Sequence, residues 1–197
     1  MSVSTHTFLI VGLGNPGKEF SGTRHNIGKD FIKWLAKKWG IKFKRKGKLY
    51  RWGKTWKGEK EVILVFPSIF MNESGKAVIE AIRDFSIPLE HLLVIHDDVD
   101  LPPGKIKWIK KGGSGGHKGV QSIQEFLQTQ LFPRLRIGIG KVPKEETPRY
   151  VLEKFGDEER KKMLKLFPLL EEGILMWIEE GIDKTMSIYN SRRVKND

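Results

Sequence analysis

Three short apolar runs punctuate this chain, TFLIV (7–11), EVILVF (61–66) and HLLVI (91–95), each read as a strand, and RLRIGIG (134–140) reads as a further strand. HLLVI, a continuous apolar run, suits a strand buried on both faces. Between the runs lie stretches with apolar residues at helical spacing, and strands that alternate with helices build a sheet covered by helices. IGKDFIKWLAKKWG places Ile27, Phe31, Trp34 and Leu35 on one helical face and stops at Gly40. A second helix is predicted through Val78, Ile79, Ile82 and Phe85, ending before Pro88. A third carries Val120, Ile123, Phe126, Leu127 and Leu131, and the pattern from Asp157 to about Gly181 is helical with a kink at Pro168. LYRWGKTWKG reads as a strand joined to EVILVF near Gly58, and KIKWI as a further strand. Neither a repeat nor a linker interrupts this order, so the expectation is one α/β domain over residues 1–197.

Charge narrows the partners. Thirty-six Lys and Arg stand against 24 Asp and Glu, a net charge of +12. An excess of one sign this large favours an anionic partner, most often nucleic acid. The chain has no cysteine, which removes disulfides and thiol chemistry. MSVSTH lacks the basic start of an export signal, TFLIVGLG is too short for its core, and no apolar run approaches the roughly 20 residues of a membrane span. The expectation is a soluble cytoplasmic protein.

Directly after the first run comes Gly12-Leu13-Gly14-Asn15-Pro16-Gly17, which fits the spacing of a dinucleotide-binding loop. Its context does not fit. The helix of a dinucleotide fold starts inside the glycines, whereas GKEFSGTRHN intervenes here, and no acidic residue follows a second strand to hold a ribose. The glycines are expected to form a tight turn with Asn15 at its tip. No nucleotide cofactor is predicted.

The polar residues cluster at predicted strand ends, where an open α/β sheet binds its ligands. Asn15 and His25 follow the first strand, and Asn72 follows the third in FMNESG. His96, Asp97, Asp98 and Asp100 are expected just past HLLVI, and GGSGGHKG carries His117 and Lys118. HDDVD invites a metal reading, but no calcium-loop spacing and no second acidic cluster complete a shell, so no metal is predicted. No serine sits in a nucleophile-elbow setting. A carboxylate on one nitrogen of a histidine would fix its tautomer and raise the basicity of the other, which is enough to activate water.

Together, IVGLGNPGKEFSGTRHNIG, FMNESGKAV, HDDVDLPPGKIKWIKKGGSGGHKG and RLRIGIG resemble the bacterial-type peptidyl-tRNA hydrolases, in the same order and at family-like spacing. The resemblance runs from about Phe8 to Phe155. It implies a single α/β domain with a twisted mixed β-sheet surrounded by α-helices, a monomer without cofactor or metal. It implies an esterase that frees tRNA from peptidyl-tRNA shed by ribosomes, binding the acceptor stem and 3′ end. His25 then falls on the catalytic base and Asp97 on its supporting acid. Asn15 takes the position that separates N-blocked from free aminoacyl-tRNA. Phe20, Phe70 and Asn72 take substrate-contacting positions, Phe20 where the family usually has tyrosine. Lys118 stands where the family has Asn: it cannot accept a hydrogen bond, but it can meet a phosphate. Asn72 or loop N–H groups would stabilise the oxyanion, and Lys105, Lys107, Lys110, Lys111 and Arg136 would hold phosphates. Two other readings compete: a nicotinamide-dependent enzyme using Gly12 to Gly17, and an RNA-binding scaffold without catalysis.

Overall fold

A computed structural model describes residues 6–46 and 49–191. Its seven strands are β1 (Thr7–Gly12), β2 (Lys44–Lys46), β3 (Tyr50–Lys57), β4 (Lys60–Pro67), β5 (Leu92–Asp98), β6 (Ile106–Ile109) and β7 (Arg134–Gly138). They form one sheet in the order β2-β3-β4-β1-β5-β7-β6. β4, β1, β5 and β7 run parallel, while β2–β3, β3–β4 and β6–β7 pair antiparallel. The sheet is therefore mixed, as expected.

Every residue of β1 and β5 is buried, because helices cover both faces. Side-chain alternation divides the apolar residues between two layers. Phe8 and Ile10 face α1 (Ile27–Lys38) and α5 (Asp157–Tyr189), packing with Phe31, Leu35, Phe167 and Trp177. Leu9 and Val11 face α2 (Ser74–Phe85) and α3 (Lys118–Leu127), packing with Ala77, Val78, Val120 and Ile123. A short helix, α4 (Thr147–Tyr150), lies between β7 and α5. No helix among the described residues is long and apolar enough to cross a membrane.

Several boundaries differ from expectation for identifiable reasons. β5 does not stop at Ile95: His96, Asp97 and Asp98 pair with Arg136, Ile137 and Gly138 of β7, so the acidic residues lie in the strand rather than past it. α3 ends at Leu127, where Gln128 turns left-handed (φ 54°), which leaves Leu131 outside the helix and 62% exposed. The last helix stays helical through Pro168, breaks at Gly181 (φ 81°) and resumes to Tyr189. Beyond it, Asn190 donates to the Trp108 carbonyl and accepts from its N–H, tying this end to edge strand β6.

Gly12 and Gly28 set the site's geometry. A Cβ on Gly28 would lie 2.3 Å from the Ile95 carbonyl oxygen, and one on Gly12 2.3 Å from the Gly28 carbonyl oxygen. The start of α1 thus rests on the backbones of β1 and β5, an approach that only glycine permits. Of the glycine run, only Gly17 (φ 102°) forms the exposed turn expected from the spacing. Gly12 ends a buried strand, and Asn15 is buried rather than exposed at a tip.

Candidate active site

That close approach brings the 3₁₀ turn Arg24–Asn26 against the C-terminal end of β5. His25 Nδ1 stands 2.9 and 3.0 Å from the two carboxylate oxygens of Asp97. The ionised carboxylate can only accept, so Nδ1 carries the proton and Nε2 keeps its lone pair. His117 completes a trio: its Nε2 lies 2.9 Å from Asp97 Oδ1, while its Nδ1 accepts the Val120 N–H at the start of α3. The two imidazoles are 4.6 Å apart between ring centres. His96 Nδ1 donates to the Asp97 carbonyl oxygen at 2.7 Å.

These contacts set the charges. Burial works against ionising Asp97, but the two histidines outweigh it and hold the carboxyl well below the usual carboxylate range. Burial likewise pulls His25 down, and the Asp97 charge and hydrogen bond more than offset this, so its pKa ends above the ordinary value. His96 is pushed well down by complete burial, and further by His117 and Arg134, so it stays neutral. Ligand-competent atoms of His25, Asp97 and His117 lie within 4.8 Å of one another. A cation there would have to displace the hydrogen bonds that already join them.

The trio's surroundings hold it in place. His25 N–H donates to the Val151 carbonyl at 2.8 Å, and Arg24 N–H to that of Glu153 at 3.0 Å. The Arg24 guanidinium lies over Tyr150 at 4.2 Å, donates to the Lys154 carbonyl and pairs with Glu159 at 2.9 Å. Arg134 is buried and donates to the carbonyls of Gly112 and Gly113, clamping the glycine-rich loop that delivers His117.

His25, Asp97 and Lys118 line a cleft of about 900 Å³, together with His96, His117 and the loop 112–116. Lys107, Lys111, Arg136, Lys141 and Lys144 line it as well. Arg136 is engaged with Asp98, and Lys118 is exposed at the first position of α3. Lys105 and Lys110, expected to hold phosphates, do not line the cleft, and Lys110 pairs instead with Asp183.

The remaining expected residues form a second group. Asn15 is fixed on three atoms: its N–H donates to Asn26 Oδ1 and its carbonyl accepts from Asn26 Nδ2, while its Oδ1 accepts the Met71 N–H at 2.8 Å. That last bond settles which end of the amide is the donor, Nδ2. Met71 adjoins Phe70 and Asn72, both exposed, and the Phe70 ring meets Phe20 edge to face at 6.3 Å. Asn15, Phe20, Phe70 and Asn72 do not line the basic cleft. Asn15 is tied to Asn26, the neighbour of His25.

The fold and this cleft define an α/β enzyme with a buried His–Asp pair in a cleft lined by basic residues. Residues 9–197 match the family described as peptidyl-tRNA hydrolase. A peptidyl-tRNA hydrolase of Thermodesulfovibrio yellowstonii is 46% identical over 186 residues, covering 92% of this chain and 98% of the relative. One from Caldanaerobacter subterraneus subsp. tengcongensis is also 46% identical, over 184 residues, covering 93% and 99%. A solved peptidyl-tRNA hydrolase in complex with N-propanol superposes with a TM-score of 0.91 at 34% identity, covering 99% of this chain and 100% of that one. That of Acinetobacter baumannii gives 0.90 at 34% identity, covering 98% and 99%. The chain belongs to the peptidyl-tRNA hydrolase family, whose activity is the hydrolysis of peptidyl-tRNA.

Proposed function

We propose that His25 is the general base of this hydrolysis and that Asp97 orients it. The observation that carries this reading is the buried Nδ1–carboxylate contact at 2.9 Å, which leaves Nε2 as the basic atom at the cleft. Nε2 takes a proton from water as its oxygen adds to the ester carbonyl between peptide and tRNA. The tetrahedral intermediate collapses by breaking the bond to the ribose oxygen, which leaves protonated by the His25 imidazolium. The products are a peptide carboxylic acid and tRNA with a free 3′ hydroxyl. General-base help of this kind is typically worth ~10²–10⁴-fold. Asp97 steadies the imidazolium, and His117 holds Asp97 by its Oδ1, an oxygen that His25 also meets.

The developing oxyanion is met by the Asn72 amide or by N–H groups of the glycine-rich loop. Asn15 Nδ2 donates to the peptide linkage of an N-blocked substrate, with Phe20 and Phe70 beside it. Lys118, with Lys107, Lys111 and Arg136, meets phosphates of the acceptor stem, contacts that carry little sequence information and so suit an enzyme that accepts every tRNA. In this reading residues 1–197 act as one domain, as a cytoplasmic monomer without cofactor. The test is incubation of the protein with N-acetyl-aminoacyl-tRNA. Release of free tRNA and N-acetyl amino acid supports the reading, and an intact ester after saturating exposure refutes it.

A further inference from the structure

Lys29 lies on the first turn of α1, and its side chain is buried. Its Nζ donates to the backbone carbonyl of Asn15 at 2.8 Å, alongside Asn26 Nδ2 at 3.1 Å. Its stem packs so closely on Gly14 that a Cβ there would lie 2.8 Å from Lys29 Cβ. Phe66 of β4 presents its ring 5.3 Å from the ammonium. The ammonium makes no salt bridge among the described residues. Lys33 and Asp30 on the same helix, and Arg51 on β3, are the charged groups that act on it. Burial, with smaller help from Lys33 and Arg51, lowers its pKa to about 8, so it is mostly charged at neutral pH.

A buried cation without a carboxylate costs stability and is kept only where something compensates. Any small donor could hold the Asn15 carbonyl, and Asn26 already does. What Lys29 adds is a fixed positive charge directly behind the residue assigned to read the substrate's amino end.

We infer that the Lys29 ammonium is a specificity-determining group, which acts through Asn15 and by charge to exclude substrates with a free α-ammonium, that is, aminoacyl-tRNA. This rests on the placement of the substrate's amino end at Asn15. An N-blocked substrate presents a neutral amide there and is unaffected by the charge, whereas a free ammonium meets a like charge across Asn15. With Asn15 between them the two charges stand on the order of 8 Å apart, which at an effective dielectric of about 20 disfavours the ammonium form about 30-fold.

The test compares wild type, Lys29→Met and Lys29→Gln on N-acetyl-aminoacyl-tRNA and on aminoacyl-tRNA at pH 6.5, where the α-amine is protonated. Lys29→Gln keeps a hydrogen-bond donor and removes the charge. The expected result is that both variants gain on aminoacyl-tRNA, narrowing the ratio of the two kcat/KM values by about 10- to 30-fold. Their melting temperatures should be no lower than that of wild type, because a buried ammonium with no direct carboxylate partner is gone. A ratio unchanged in both variants overturns the inference. So does a ratio that changes in Lys29→Met but not in Lys29→Gln, since the hydrogen bond alone would then matter. Cleavage of the N-acetyl substrate by wild type is scored separately, so failure of the inference is distinct from failure of the proposed function.

Discussion

Replacing Asp97 by Asn keeps the shape of the side chain and removes what the site asks of it. Asp97 accepts from both His25 and His117. Oδ1 meets both imidazoles and Oδ2 meets His25 alone, so in either orientation the NH₂ of an amide faces the His25 Nδ1–H. His117 cannot turn its tautomer cheaply, because its Nδ1 already accepts the Val120 N–H, so the amide oxygen takes the Oδ1 place. His25 must then shift its proton to Nε2 to accept from the NH₂, and it ceases to be a base at the cleft. Exchange of this kind at a His–Asp pair costs up to ~10⁴ in kcat, equivalent to roughly 5 kcal/mol of transition-state stabilisation. The acid limb of kcat/KM must also move. The Asp97 charge raises the His25 pKa, so Asp97→Asn shifts the limb to lower pH. Stability changes sign-consistently: a carboxyl depressed in the folded state stabilises above about pH 4 and loses this as pH falls toward its folded value. The variant should therefore differ from wild type near neutrality and less in acid. The assay is tRNA release from N-acetyl-aminoacyl-tRNA between pH 4.5 and 9. Turnover within a few-fold of wild type with an unmoved limb would refute the assignment of Asp97.

Two further outcomes follow from the geometry. Lys118 opposes the dipole at the start of α3, which makes that position more favourable to an arriving phosphate than to the lysine itself; Lys118→Ala should weaken binding of all tRNAs alike and flatten the salt dependence by roughly one contact, with little change in kcat, and an unchanged salt slope would place Lys118 in solvent. Gly28→Ala drives a methyl to 2.3 Å from the Ile95 carbonyl oxygen, and should cost on the order of 3 kcal/mol and about 6–12 °C of melting temperature while displacing His25; a melting temperature equal to wild type would contradict the packing.

The central strands were legible because both faces of β1 and β5 are buried, so their sequences are apolar without alternation. β2 was not: Lys44–Lys46 is an edge strand held by its backbone to Tyr50–Trp52, and no side chain announces it. The extension of β5 through Asp98 depends on β7, a partner some 40 residues away in sequence. His25, Asp97 and Lys118 could be assembled from their places near strand ends, with the family resemblance naming their roles. His117 was visible only as a histidine near a helix start. Its second bond to Asp97 requires the loop 112–116 to fold onto β5, and the clamp that does this, Arg134, reads in sequence as one more basic residue. Lys29 was invisible for the same reason. In IGKDFIKWLAKK it resembles any solvated lysine, and only the packing of Gly14 and Asn15 over it makes it buried.

Single-turnover hydrolysis of N-acetyl-aminoacyl-tRNA by wild type and His25→Ala tests His25 as the base most directly. With enzyme in excess, binding and product release drop out of the comparison. If His25 is the base, wild type releases tRNA rapidly, His25→Ala has a rate constant lower by at least about 10², and the two proteins bind tRNA with similar affinity. A variant that binds tRNA and hydrolyses the ester within a few-fold of the wild-type rate would contradict that role.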